Sequence, residues 1–285
     1  MKRKYILLLA LTGFISQKLM AQDREIALVK VHYNFVHIND TTQLDKNHHD
    51  EMVLYLGQHS SFYTSYDNKR IEESLKKQVE SPDFNGDLTI IASGSGTPES
   101  YYTVPAKNIL QQTYSLNGEN YLVDEEFPKL NWKIEQETKA IGGYNCQKAE
   151  TYFKGRNYTA WFTTDIPFQA GPWKLQGLPG LILEASDSKN EVIFQYAGFD
   201  KMETSGMIVG LPENTIKINK KALTNLIEAV RKNPEAAAKA RSQGGGSSSN
   251  SIFNSIDPSK IKSISITKDE TPKSPVTNNP IELQD

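Results

Sequence analysis

The sequence predicts an α+β fold that is mostly β: a curved antiparallel meander, shaped as an open or half-closed barrel, with one or two packed helices. Three observations favour it. Segments that alternate apolar and polar residues recur between residues 26 and 199, as expected of half-buried strands. Tight-turn signals separate many of these segments, which is typical of antiparallel neighbours. Two stretches with helical periodicity can cover a face of the sheet.

The strand signals are local and clear. Apolar residues occupy every second position of 29–35, with polar residues between them, which is the period of a strand with one buried face. A second apolar strand is expected at 52–56. The pair Asn117-Gly118 lies between two alternating segments and is the strongest short-range signal for a β-hairpin. The turn at 154–157 predicts another antiparallel pair.

Two helices are expected. In 65–80, apolar residues recur every four positions and glutamates precede lysines by four, which stabilises a helix surface. In 219–233, leucine, isoleucine and valine form an i, i+3, i+4, i+7 stripe. The basic residues of 217–241 also permit contact with an acidic membrane surface. Packing of the apolar stripe on the sheet is the commoner arrangement.

Composition divides the chain into three parts. Residues 1–21 contain three consecutive basic residues at positions 2–4, a short apolar run and a small-residue cleavage site, as in a secretory signal peptide, and the run is too short to span a bilayer. Residues 22–241 form a β-rich domain, and 242–285 form a flexible tail rich in Gly, Ser and Pro. We expect an exported protein, in the periplasm or outside the cell. It is not expected to be a lipoprotein, because no cysteine lies near the cleavage site.

Composition also excludes some classes of function. A formal net charge of −2 and a hydrophobic content of 38% argue against nucleic-acid binding and against intrinsic disorder. The single cysteine, Cys146, has no partner for a disulfide within the chain. A lone cysteine in a strand is usually a small buried hydrophobe, so a catalytic thiol is the less common interpretation.

The most specific sequence signal is a run rich in glycine and proline that is followed by an apolar strand. Its structural motif consists of Gly171, Pro172, Gly177, Leu178, Pro179, Gly180, Leu181 and Ile182. Together with 141–149, 161–167 and 279–283, this run resembles the GLPGLI family, also called Porph_ging, of exported Bacteroidetes proteins. The resemblance implies export and no established activity. We expect the run to turn the chain and to set the register of the next strand.

Standard catalytic motifs are absent. The sequence contains no Gly-x-Ser-x-Gly, no His-Glu-x-x-His and no Walker loop, and no cofactor is predicted. His48 and His49 are weak metal candidates, because imidazole binds copper and other transition metals. Adjacent side chains of an extended segment point to opposite faces, so one segment cannot supply a full ligand set, and a solvated loop is the commoner interpretation.

Trp161, Asp165 and Trp173 are the ligand-binding candidates. A carboxylate beside aromatic rings can bind sugars or cations, or act as an acid or base. The competing interpretation places the tryptophans in the core and Asp165 in a turn, where aspartate commonly satisfies backbone donors.

Three functions stay open from the sequence. The first, favoured by the aromatic-rich sheet and the absent motifs, is a non-enzymatic envelope binding or carrier module for a small apolar or peptide ligand. The second is a hydrolase-like enzyme with a dispersed site that includes Asp165. The third is an interaction protein that docks on an outer-membrane protein through the tail 242–285. Whether the protein is an enzyme is left undecided, and the absence of catalytic motifs favours a protein that is not one.

Overall fold

A computed structural model of the chain describes residues 25–92, 96–202, 206–233, 257–268 and 277–284. The predicted signal peptide lies outside these residues, as do several parts of the predicted tail. The division into signal peptide, domain and tail therefore stays a prediction, as does export.

Within the described residues the chain forms sixteen β-strands and two α-helices. The strands are β1 (Glu25–Ile26), β2 (Val29–His37), β3 (His48–Leu56), β4 (Ser61–Ser65), β5 (Asp87–Ala92), β6 (Glu99–Val104), β7 (Ile109–Leu116), β8 (Glu119–Glu125), β9 (Lys133–Ile141), β10 (Tyr144–Phe153), β11 (Arg156–Thr163), β12 (Leu181–Asp187), β13 (Val192–Lys201), β14 (Ile208–Val209), β15 (Thr215–Lys217) and β16 (Ser263–Lys268). The helices are α1 (Asp67–Glu80) and α2 (Lys220–Lys232).

Twelve strands form one large sheet in the order β15-β8-β7-β6-β4-β3-β2-β13-β12-β11-β10-β9. One antiparallel meander contains β2 to β8 without β5, a second contains β9 to β13, and β2 pairs with β13 where they meet. The sheet is mixed, because β15 adds to β8 in parallel. It runs from one edge strand to the other without closing into a barrel. The predicted α+β, mostly β class is confirmed.

Two short pairings lie beside the large sheet. β1 pairs with β14 in antiparallel orientation, and β16 pairs with β5 in parallel orientation. Helix α1 packs on β5, where Leu75, Leu88 and Ile90 form a small buried cluster. The larger core therefore belongs to the twelve-stranded sheet.

Both tight-turn predictions are confirmed by the backbone. Asn117 and Gly118 join β7 to β8 with φ angles of 54° and 87°. Lys154 and Gly155 join β10 to β11 with φ angles of 47° and 85°. Two consecutive positive φ angles are what a two-residue hairpin of the favoured twist requires.

The main core draws apolar side chains from both meanders. Tyr33 and Leu54 from the first and Phe162 and Leu183 from the second are at most 1% exposed. Each such side chain contributes about 1.5–3 kcal/mol when buried. Cys146 is also fully buried there, and burial raises the pKa of its thiol to about 11. The thiolate is therefore scarce at neutral pH, in accord with a structural role.

The two α-helices lie close to their predicted positions. Asn219 begins α2 as its N-cap, since its Oδ1 accepts a hydrogen bond from the Ala222 amide at 2.8 Å. Leu223 of α2 is buried. Neither helix in the described ranges has the length and apolar content needed to cross a bilayer. Contact of 217–241 with a membrane surface stays a prediction, and residues 234–241 lie outside the described part.

The glycine- and proline-rich run delivers the chain into β12. A Cβ atom added to Gly180 would lie 2.1 Å from the carbonyl oxygen of Thr163, so the end of β11 leaves no room for a side chain. Leu181 pairs with the same Thr163 in the sheet. The close approach at Gly180 therefore lies directly beside the first residue pair between β12 and β11, where a turn can set the register of the strand.

Candidate functional site

A cavity of about 540 Å³ lies where strands of both meanders meet the loop 171–180 and the segment 277–282. Three glutamates line it, Glu99, Glu125 and Glu282, and we name it the carboxylate cavity. Its volume falls within the range of small-molecule sites, about 300–1,000 Å³. Its remaining wall includes the aromatic residues Phe35, Tyr63, Tyr101, Tyr114, Trp173 and Phe194.

Lys174 forms the charged centre of this cavity. Its Nζ donates to Glu125 Oε2 at 2.9 Å and to Glu282 Oε1 at 2.5 Å, and the residue is only 5% exposed. The same Nζ lies 5.5 Å from the ring centre of Tyr101 and 5.9 Å from that of Trp173. Desolvating three charges is costly unless they pair well. Such a cluster in a cavity is a candidate functional site.

Glu99 is the titratable acid of the cavity. It begins β6 and lies opposite Tyr114 of β7. Burial raises the pKa of its carboxyl to about 7, while its own backbone amide and the charge of Lys174 act in the opposite direction. Near neutral pH the group is therefore populated in both protonation states and can donate or accept a proton. Burial and the charge of Glu99 also raise the pKa of Tyr114, to about 12.

Two buried polar atoms of the cavity residues have no hydrogen-bond partner within the described residues, the hydroxyl of Tyr63 and Oε1 of Glu125. The nearest cation recorded for Glu125 Oε1 is Lys220 Nζ, at 3.9 Å. Buried polar atoms in proteins almost always have partners. An ordered water or a ligand with hydroxyl or amide groups can supply the missing partners.

Trp173 carries backbone strain at the edge of the site. Its φ angle is 56°, a left-handed conformation that is an outlier for a bulky residue and costs about 1–3 kcal/mol. Its ring stacks on Phe194 at 6.4 Å and meets Phe153 edge-on at 5.6 Å. This packing holds the strained turn, and the turn places the next residue, Lys174, between its two carboxylates.

A second cavity, of about 430 Å³, shares Tyr63 and Trp173 with the first. Its wall includes Leu54, Leu56 and Leu175, and no carboxylate lines it. His59 is a titratable side chain of its wall, so of these two cavities only the carboxylate cavity is lined by carboxyl groups.

The predicted ligand-binding residues do not share one cavity. Trp173 lines both cavities, whereas Trp161 and Asp165 line neither. Trp161 is half-buried on β11 with Lys139 Nζ at 4.5 Å from its ring centre. Asp165 is exposed after the end of β11, and its backbone amide donates to Thr163 Oγ1 at 3.2 Å. Ligand binding by Trp161 and Asp165 stays a prediction.

The two histidines proposed as metal ligands lie on opposite faces of β3. His48 lines the carboxylate cavity with its Nε2 3.0 Å from Thr97 Oγ1, and His49 is exposed. Among the described residues there is no group of three or more His, Cys, Asp or Glu side chains that could hold a metal ion. The sequence favours no metal site, with this pair as weak candidates, and that expectation stays a prediction.

The segment 277–284 reaches the cavity because Arg156 anchors it. Nη2 of Arg156 donates to Asn279 Oδ1 at 2.6 Å and to the Pro280 carbonyl at 2.8 Å, and Nε donates to the Ile281 carbonyl at 2.9 Å. Thr277, Pro280, Ile281 and Glu282 then line the cavity. A buried arginine thus positions one wall of the site.

The charge of Arg156 is neutralised on its other side. Nη1 lies 2.7 Å from Asp187 Oδ2 and 2.9 Å from Glu191 Oε2. The Arg156 and Asp187 side chains are each 2% exposed. Burial alone would raise the pKa of the Glu191 carboxyl. Its hydrogen bonds with Arg156 and Asn279 outweigh burial, so the pKa lies below its usual value.

Sequence reasoning missed Glu99, Glu125, Lys174 and Glu282. They come from four separate segments, so no local motif joins them. One signal was available: Glu99 alternates with Tyr101 in a strand, which places a carboxylate on the same face as an aromatic side chain.

The comparisons with known proteins give a family profile that matches part of the chain and two solved structures of low sequence identity. The profile described as "N-glycanase peptide, N-terminal domain" matches residues 90–222, just under half of the chain. A comparison with curated proteins finds no match. A solved structure of PNGF-II in space group P21 matches at 17% identity with a TM-score of 0.47, covering 72% of this chain and 34% of that one. The structure of PNGF-II in space group C2 matches at 18% identity with a TM-score of 0.49, covering 71% of this chain and 33% of that one. The chain thus spans about a third of PNGF-II.

The resemblance to the GLPGLI family is wrong, because the matching profile is the N-glycanase domain and no GLPGLI profile matches. The run 177–182 forms a turn in which the backbone at Gly180 closely approaches β11. Such a run is required by local geometry and therefore identifies a turn and not a family.

The prediction of a non-enzymatic binding or carrier module for an apolar or peptide ligand is also wrong. The matching profile is that of an N-glycanase domain. The larger of the two cavities, moreover, is lined by buried ionisable groups and not only by the apolar side chains expected of such a carrier.

Proposed function

We propose that this protein has an N-glycanase-type function, the release of N-linked glycans, and that the carboxylate cavity holds the carbohydrate. One observation carries the proposal: the segment 90–222 that matches the N-glycanase domain contains most of the functional groups of the cavity. These are Glu99, Tyr101, Tyr114, Glu125, Trp173, Lys174 and Lys220.

The lining of the cavity suits a carbohydrate. A sugar ring has apolar faces that pack on aromatic rings, and its hydroxyl groups both donate and accept hydrogen bonds. Tyr101 and Trp173 supply the rings. Glu125 Oε1 can accept from one sugar hydroxyl, and the Tyr63 hydroxyl can bond to another. A carbohydrate would thus supply partners for these two buried atoms, which have no hydrogen-bond partner within the described residues.

Glu99 provides the acid–base group. Hydrolysis that releases a glycan requires a proton donor for the departing group and a base that activates water. Here Glu99 has a pKa raised to about 7 by burial, so its protonated form can donate to a departing group and its ionised form can activate water. Glu125 is instead fixed by Lys174 and is placed to orient the ligand.

Because the chain spans about a third of PNGF-II, binding and cleavage are measured separately. The purified protein is incubated with a denatured N-glycosylated protein, and released glycans are quantified by mass spectrometry. Binding of a free N-glycan is measured by titration calorimetry. We expect Glu99→Gln to lower the rate of release by about 10²–10⁴-fold while binding persists.

Two further variants test the placement of the ligand. Glu125→Gln is expected to weaken glycan binding by about tenfold, through loss of a charge-assisted hydrogen bond. Glu119→Gln is the matched control, because Glu119 lies exposed on the same strand, β8. Absence of both release and glycan binding would refute the proposal. Binding without release would refute the acid–base role of Glu99 in this chain.

A further inference from the structure

Glu282 lies outside the segment 90–222 that matches the N-glycanase domain, yet its carboxylate contacts the centre of the carboxylate cavity. We propose that Glu282 is a positioning residue that acts on Glu99 through Lys174. The inference deepens the proposed N-glycanase-type function and rests on it for the role of Glu99. It assigns to the segment 277–284 a part in the chemistry of the site.

The first support is geometric. The Lys174 ammonium is shared between two carboxylates, Glu282 Oε1 at 2.5 Å and Glu125 Oε2 at 2.9 Å. The Glu125 side chain is 7% exposed and the Glu282 side chain 22% exposed, so water screens the three charges only partly. Without Glu282, one donor of Lys174 would lose its partner, and the side chain would no longer be held between two fixed points.

The second support is that the backbone on both sides of Glu282 is fixed. The Ile281 carbonyl accepts from Arg156 Nε, and the Leu283 amide donates to the Lys154 carbonyl at 2.9 Å. Lys154 Nζ also lies 3.9 Å from the second oxygen of Glu282. The carboxylate is therefore presented to the cavity by a segment that is anchored before and after it.

The third support is electrostatic. The positive charge of Lys174 lowers the pKa of Glu99, against the larger effect of burial. Each carboxylate that pairs with Lys174 neutralises part of that positive charge. Glu282 therefore helps Glu99 to keep its proton near neutral pH. The other titratable or charged groups that line the cavity with Glu99 are Tyr63, Tyr101, Tyr114, Glu125, His37, His48 and Lys220.

The test is a titration of Glu99 in the full chain without substrate. Protein with ¹³C-labelled glutamate carboxyl groups is followed by NMR against pH, and the resonance that Glu99→Gln removes is assigned to Glu99. We expect Glu282→Gln to lower the midpoint by about one pH unit, since it uncovers the charge of Lys174. Gln284→Ala is the matched control: it removes a hydrogen bond of the same segment, to Tyr152, and is expected to leave the midpoint unchanged.

A double variant decides whether the effect passes through Lys174. In a Lys174→Met background, Glu282→Gln is expected to have little further effect, because the charge that it acts through is gone. An unchanged midpoint in Glu282→Gln, or an undiminished shift in the double variant, would overturn the inference.

If Glu282→Gln detaches the segment or lowers the melting temperature strongly, Glu282→Asp keeps the charge and takes its place. Its midpoint is expected near that of the native protein, and a downward shift of about one unit in a folded Asp variant would count against the inference. These titrations use no glycan. The coupling can therefore hold while glycan release fails, and the two proposals can be judged apart.

Discussion

Arg156→Met tests the anchor of the segment 277–284. The native guanidinium is buried and interacts with two carboxylates, those of Asp187 and Glu191, and with three groups of the segment. Methionine fills much of the same space but has no charge and no donor. The substitution therefore leaves Asp187 buried without its cation and removes three hydrogen bonds that hold the segment.

The expected loss is large. Removing one partner of a buried ion pair costs about 3–5 kcal/mol, because the remaining charge stays desolvated. In a domain of this size each kcal/mol lowers the melting temperature by about 2–4 °C, so a fall of about 10 °C is expected. Urea unfolding followed by circular dichroism gives the free energy of unfolding. Limited proteolysis then shows whether the segment 277–284 has been released.

The matched control is an arginine whose ion pair is more exposed to solvent. Arg70 of α1 pairs with Asp67, but its side chain is 39% exposed, and Arg70→Met is expected to cost less than about 1 kcal/mol. If Arg156→Met lowered the free energy of unfolding no more than Arg70→Met does, the anchoring role of Arg156 would be refuted.

Two further predictions concern stability. Gly180→Ala is expected to lose about 1–3 kcal/mol by overpacking, because its Cβ would meet the Thr163 carbonyl at 2.1 Å. Gly198→Ala meets nothing within 4 Å and is the control; equal thermal stability of the two variants would contradict the role of Gly180. The second concerns Glu99, whose pKa is raised from 4.5 to about 7 by burial. The protonated carboxyl is favoured in the folded protein, so its contribution to stability is full below about pH 4.5 and is lost as the pH rises through about 7. The native protein is therefore expected to lose about 1–3 kcal/mol relative to Glu99→Gln between these pH values, measured by urea unfolding at both ends; a constant difference would disprove the raised pKa.

The sequence predicts the local parts of this fold well. The Asn117-Gly118 turn needs two left-handed residues in succession, and few residue pairs supply them. Helix α2 begins at Asn219, whose side chain caps the first turn. Such features depend on residues that are close in the chain. The fold class could therefore be derived from their order alone.

The site could not be predicted in the same way. Lys174 meets Glu125 and Glu282 only because the two meanders and the segment 277–284 come together in space. The raised pKa of Glu99 likewise results from burial, which depends on the packing of distant segments. The GLPGLI run misled the family assignment because a turn motif reports local geometry and carries no information about these contacts.

The pairing of β2 with β13 has a consequence for how the chain folds. Within each meander, most strands pair with a neighbour in sequence and close a short loop, whereas β2 and β13 bring residues 29–37 against 192–201. Closing so long a loop costs more chain entropy, and contacts between distant residues slow folding. We expect the two meanders to form first and this seam to form late. The walls of the carboxylate cavity, which come from both sides of the seam, would then meet only in the final step of folding.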